Sequence, residues 1–322
     1  MRGPGGTPPR PSPYDGPWPA ETNGVRAVAN IHLGPEPGAA ARGSLIGNAA
    51  GFGTMAGLHR ALSAHSDTDI IVDLSRVGWV DGHLTAALDT VFRKAGSRGN
   101  AVSLTGMAPR LRDTFCKNHL ILARKPDRFN TVMPITAFEE DDGPAFSWYA
   151  KRHLDRPEMP RMTTALRRRF FEGLDELFAN AVLHAHATQP IIVGGQYYPR
   201  AHRLAFCMAD GGQGIPSAVR AKLGDAQSAE DAIAWAMEPY NTTRLGDIPG
   251  GLGSKVLRDF IALNGGQMTI VSGGGFWRQT GAQACKRALG APYPGTVVVL
   301  EIDTSDRQPY DLDEAPDPYS IW

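Results

Sequence analysis

The sequence predicts an α/β fold built as two modules, and three observations carry that expectation. Strand-like and helix-like patterns alternate from about residue 24 to 118. An apolar run over 203–209 ends on Asp210 and then glycines, as a buried strand does at its exit. Two further segments keep a helical apolar period: roughly 155–187, through Leu166, Phe170, Leu174, Leu177 and Ala181, and a helix through Leu252, Val256, Phe260 and Leu263 that Asn264-Gly265-Gly266 stops.

In chain order, residues 1–22 are Pro- and Gly-rich and read as a disordered leader without the apolar segment of a secretory signal. Residues 23–125 form the first module. Strands are expected at 25–33, 70–74 and 101–104, a helix at 57–65, a helix striped by Leu84, Leu88, Val91 and Ala95, and a short helix near 109–118. Residues 126–142, ending in Glu139-Glu140-Asp141-Asp142, read as an acidic linker, 143–303 as the second module, and 304–322 as a flexible tail.

With 322 residues and 42% hydrophobic content the chain supports two modest domains. Its 33 basic and 33 acidic residues balance, so nothing drives the whole molecule toward nucleic acid or anionic lipid. Arg167-Arg168-Arg169 reads as a solvated helix face. No apolar stretch approaches the ~20 residues of a membrane span. Three cysteines, odd in number and far apart, suit a reducing cytoplasm.

Four segments of the second module carry chemistry. Glu176 and Asn180 stand one turn apart beside the apolar stripe of their helix, where an amide oxygen suits Mg²⁺ and a carboxylate can take a proton; a solvated polar pair is the plainer alternative. Asp210, held at a strand end, accepts hydrogen bonds when ionised and so suits an adenine amino group, while Gly212 and Gly214 leave room for a flat base; an ordinary Asp-Gly turn fits the same letters. Gly250-Gly251-Leu252-Gly253 opens a helix whose free N–H groups attract phosphate, yet no Walker loop is present. Gly295-Thr296 enters a late strand. His184 and His186 make a poor chelate, and Cys116 reads as core.

Taken together, these segments resemble the ATPase superfamily of gyrase, heat-shock chaperones, histidine kinases and MutL, abbreviated GHKL, over roughly 143–303. The resemblance implies a Bergerat-type α/β sandwich with helices on one face of a mixed sheet, and ATP and Mg²⁺ as ligands. It makes Glu176 the general base, Asn180 the metal ligand and Asp210 the adenine reader, with Gly212 and Gly214 lining the base pocket. Gly251, Leu252 and Gly253 become the phosphate-side lid junction, and Thr296 reaches the adenine through water. Tyr240-Asn241-Thr242-Thr243-Arg244 looks like the lid of the anti-sigma-factor branch, with Arg244 in reach of a γ-phosphate or in solvent. Ser254 stands where many members carry a second Leu, and the phospho-accepting His helix of sensor kinases is missing.

The first module resembles STAS domains through Ile71-Val72-Asp73-Leu74 and Trp79-Val80-Asp81-Gly82-His83-Leu84. Gly82 and His83 replace the two serines of phosphorylatable members; Thr85 is the nearby hydroxyl, and also a natural first-turn residue. The implied function is a cytoplasmic regulatory protein like the anti-sigma-factor serine/threonine kinases, switching a protein partner such as a sigma-factor regulator or a STAS-type protein by phosphorylation or nucleotide-dependent association. A non-catalytic nucleotide sensor and a simple ATP hydrolase are the alternatives. Related kinases often dimerise, which makes a homodimer an expectation, although no dimer helix is legible in this chain.

Overall fold

A computed structural model describes residues 27–34, 42–185, 188–224, 227–238, 241, 252–306 and 309–311 of the protein. The expected leader over 1–22 lies outside these residues. The fold is mixed α/β, with parallel and antiparallel sheets.

The N-terminal half runs β1 (Val28–His32), β2 (Gly43–Leu45), α1 (Ala49–Ser63), β3 (Asp69–Asp73), β4 (Val77–Val80), a 3-10 turn at Gly82–Leu84, α2 (Thr85–Gly96), β5 (Ala101–Thr105) and α3 (Pro109–Lys117). Strands β1, β3 and β5 form a parallel sheet in that order, and β2 pairs with β4. Helix α1 begins well before the expected residue 57. Asn48 caps it by accepting from the Gly51 amide at 2.9 Å, and glycines 51, 53 and 57 hide its helical pattern.

Next come β6 (Val132–Phe138), α4 (Gly143–Leu154), α5 (Thr164–Ala185), β7 (Ile191–Tyr198), β8 (Arg203–Asp210), α6 (Ile215–Leu223), α7 (Ala229–Met237), α8 (Leu252–Asn264), β9 (Gln267–Thr280) and β10 (Gln283–Asp303). Five strands pair in the order β6-β7-β8-β10-β9. Every pairing is antiparallel, so the expected mixed sheet is corrected to a fully antiparallel one. The expected linker at 126–142 is corrected too: it supplies β6, an edge strand in which Pro134 is tolerated.

Alternation along the strands sorts side chains to two faces. Leu204, Phe206 and Met208 of β8 join α4, α5 and α8 in one apolar cluster. Cys207 and Ala209 face the other way and join a cluster that contains α1 and α2. The sheet is therefore covered on both faces, which corrects the expectation of helices on one face only. Helix α2 lies between two sheets, and this explains why Thr85 to Phe92 are all buried, well beyond the single expected stripe. In α8 the core positions are Val256, Leu257, Phe260 and Ile261; Leu263, expected in the stripe, is exposed.

A polar seam joins the halves at the far end of the α2 face. His83 is buried with its Nδ1 3.1 Å from the Tyr198 hydroxyl. Arg203 stacks over Tyr198 and donates to Glu301 at 2.6 Å, with Asp81 at 3.6 Å. Part of the expected tail is ordered: Tyr310 bridges to Met162 and packs its ring on Phe260. Residues 312–322 lie outside the described set.

Candidate functional site

Asp210 ends β8 on the face that carries α5, in register with Thr296 of β10, which in turn pairs with Ser272 of β9. The side chain is 5% exposed. Its Oδ1 accepts from the amides of Gly212 at 2.9 Å and Thr296 at 3.3 Å, so the carboxyl is aimed rather than free to rotate. Burial pushes its pKa up to about 6; the two N–H donors and the Lys94 ammonium pull the other way. Ser272 Oγ donates to the Gly295 carbonyl at 3.0 Å, accepts from the Ile215 amide at 2.8 Å and lies 2.9 Å from Thr296 Oγ1. Sequence reasoning missed Ser272. Its only signal was a hydroxyl breaking the apolar strand just before Gly273-Gly274-Gly275.

Glycines at 212 and 214 let protein approach protein. A Cβ on Gly212 would collide with the Ala185 carbonyl, and one on Gly214, at φ +78°, would come within 2.8 Å of Ser272 Oγ. The loop is thus drawn onto the end of α5, where the Gln213 amide donates to the Ala185 carbonyl at 2.8 Å.

Helices α5 and α8 run antiparallel on this face. The α5 N-terminus lies beside Tyr310, which also contacts α8 near its C-terminus, while the α5 C-terminus meets the Asp210 loop. Phe170 packs on Phe260 with centroids 5.2 Å apart. Counting eight residues from that contact in each helix at about 1.5 Å per residue places the start of α8 level with residue 178, between Glu176 and Asn180.

Flank matters as well as level. Phe178 stacks on Phe146 of α4, whereas Phe170 meets α8, and at 100° per residue Glu176 and Asn180 fall on the α8 flank. Both are half-buried. Asn180 stands about 7.5 Å, and Glu176 about 13.5 Å, along the axis from Ala185, where the Asp210 loop docks.

Of the remaining expected residues, Arg244, Gly251 and His186 lie outside the described residues, and of His184, Leu252 and Gly253 only the backbone is described. A cleft of about 440 Å³ opens on the α4 flank of α5, along Phe138, Val182 and Gln189, and none of Glu176, Asn180 or Asp210 lines it. Among the described residues no group of three His, Cys, Asp or Glu could hold a metal by itself. An amide oxygen such as that of Asn180 fits Mg²⁺ where phosphates complete the shell, because this ion is held by few protein ligands. Cys116 and Cys207 are buried, and burial pushes the Cys207 thiol up to about 12, which fits core rather than reactive roles. Among the described residues no helix is long and apolar enough to cross a membrane.

No protein-family model matches the chain, and no curated protein is similar enough in sequence to stand as a relative.

Proposed function

We propose that residues 143–303 are an ATP-binding module of the GHKL type, joined to a STAS-like N-terminal half, and that nucleotide binding switches a protein partner. One observation carries this reading: the antiparallel register of α5 and α8 sets the helix start that follows the glycine loop opposite Glu176 and Asn180, with the aimed Asp210 carboxyl at the same end of the sheet. A base at Asp210 and phosphates at the α8 start suit the extended form of a nucleoside triphosphate.

In this reading the Asp210 carboxylate accepts from the adenine amino group and the Thr296–Ser272 pair fixes the pocket wall. Asn180 offers its oxygen to the metal, which when bound supplies charge neutralisation on the phosphates. Glu176 takes the proton of the attacking hydroxyl as the γ-phosphoryl passes to that oxygen and ADP leaves. Burial counts against the STAS-like loop as acceptor: Thr85 is buried with its hydroxyl donated to the Gly82 carbonyl at 2.6 Å, and His83 is enclosed. In this reading the accepting hydroxyl is that of a partner protein or of water.

Single-turnover assays with γ-labelled ATP on wild type and Glu176→Ala divide the outcomes. Label on a partner side chain, lost in the variant, supports a kinase; free phosphate supports a hydrolase. Binding without either supports the sensor reading, which the contacts of α2 behind the Asp210 loop favour. Absence of ATP binding by wild type ends the proposal.

A further inference from the structure

The loop that follows Asp210 is backed by the other half of the chain. We infer that helix α2 is a working part of the nucleotide site, holding its base-reading end from behind with Lys94 as the positioning residue. This rests on the nucleotide reading of residues 143–303 and deepens it.

Three contacts spread over two turns of α2 reach the three segments that frame Asp210. Lys94 Nζ donates to the carbonyl of Gly211, the residue following Asp210, at 2.7 Å. The Arg93 carbonyl accepts from Gln189 Nε2 at 2.8 Å, on the connection that leaves α5, and a Cβ on Gly211 would meet Gln189 Oε1 at 2.6 Å. The Ala87 carbonyl accepts from the hydroxyl of Tyr293 at 2.8 Å. Tyr293 is 2% exposed and sits just ahead of Gly295 and Thr296, in the stretch where the β9–β10 register shifts. A packed irregularity of this kind follows the helix that fills it, because interiors are close-packed. Movement of α2 by a fraction of an ångström is therefore passed to the loop, the strand and the α5 exit together.

Charge gives this arrangement a readable signature. The Lys94 ammonium favours the ionised form of Asp210 against the burial that opposes it. The other charged or titratable groups around this spot are the Asp89–Arg93 pair of α2, at 2.7 Å, Tyr293 of β10, which feels Cys207, Asp210 and Asp89, Cys207 of β8, whose thiol burial pushes up to about 12, and His59 of α1, which feels Lys94 and Arg98 and which burial holds down to about 4. Near pH 6 His59 is neutral and Tyr293 and Cys207 are protonated, so Lys94 is the charge whose loss Asp210 reports.

The test uses the full chain with Lys94→Met, Lys94→Gln, which keeps a donor for the Gly211 carbonyl without the charge, and Lys94→Arg. Carbon-13 carboxyl NMR, with the Asp210 signal identified by its loss in Asp210→Asn, gives the Asp210 midpoint; calorimetry gives ADP affinity against pH. Lys94→Met and Lys94→Gln should raise the midpoint by on the order of half a unit. They should also weaken ADP by about threefold at pH 5, where a half-unit shift is felt almost in full, and hardly at all at pH 8, and Lys94→Arg should restore both. Should Lys94→Met not fold, Lys94→Gln alone decides. ADP binding that depends on Asp210 but keeps its affinity and pH profile in the Lys94 variants overturns this inference alone. Wild type that binds no ADP removes the nucleotide reading and this inference with it.

Discussion

Burial of the Asp210 carboxyl opposes its ionisation, and this sets a stability penalty with a definite pH window. Below its ordinary value of 3.8 both folded and unfolded states hold the proton. As pH rises to about 6 the unfolded chain releases it and the folded one does not, so stability falls across that interval. At about 1.4 kcal/mol per unit the loss is on the order of 3 kcal/mol at neutral pH. An Asn at 210 keeps an oxygen for the Gly212 and Thr296 amides and carries no charge. Asp210→Asn should thus melt higher than wild type at pH 7.5, with the gap closing toward pH 4. It should lose adenine recognition, because its amide nitrogen points a donor at a donor. A variant that melts lower at pH 7.5 would show that the carboxylate is stabilised in a way burial does not describe. A carboxylate whose replacement strengthens the fold is the expected mark of a binding residue.

At the scale of single elements, glycine decides how α1 is read. Gly53 and Gly57 face open space, whereas a Cβ on Gly51 would strike the Ile46 carbonyl. Gly53→Ala with Gly57→Ala should stabilise the chain by about 1–2 kcal/mol, and Gly51→Ala should destabilise it. Urea unfolding checks both, and a stabilising Gly51→Ala would contradict the packing described. The same residues show why the helix start was illegible: glycines lower helical propensity whether or not they are needed for packing. The strand at 203–210, the helix over 164–185 and the stop at Asn264 were legible, because alternation, apolar period and glycine punctuation act locally. Strand β6 was not, since an edge strand with a proline and an acidic exit looks like a connector. Within the proposed site, Glu176, Asn180 and Asp210 were nameable from residue type and spacing. Ser272 and Lys94 were not, because their roles depend on contacts made across 57 and 117 positions.

For the whole molecule the governing fact is a shared interior. Residues of α1, α2, β8 and β10 belong to one apolar cluster, and the seam of Asp81, His83, Tyr198, Arg203 and Glu301 closes its far end. Two modules joined by a solvated linker would open separately; a common core predicts joint opening. Hydrogen exchange in increasing urea should give the amides of α2 and β8 one opening free energy. Protection lost in α2 well before β8 would reveal independent units. Acid should act on both halves together, because burial lowers the pKa of His83, and of His59 and His153 to about 4. These histidines are neutral in the folded state and charge readily once unfolded, so their contribution is complete above about 6.5 and is lost as pH falls below it.

Calorimetric titration of ADP into wild type and Asp210→Asn at pH 7.5 tests the proposed nucleotide site most directly. ADP should bind wild type and fail to bind a variant that is folded and melts higher. Equal binding by the two proteins, or none by wild type, would contradict the site built from α5, α8 and the end of β8.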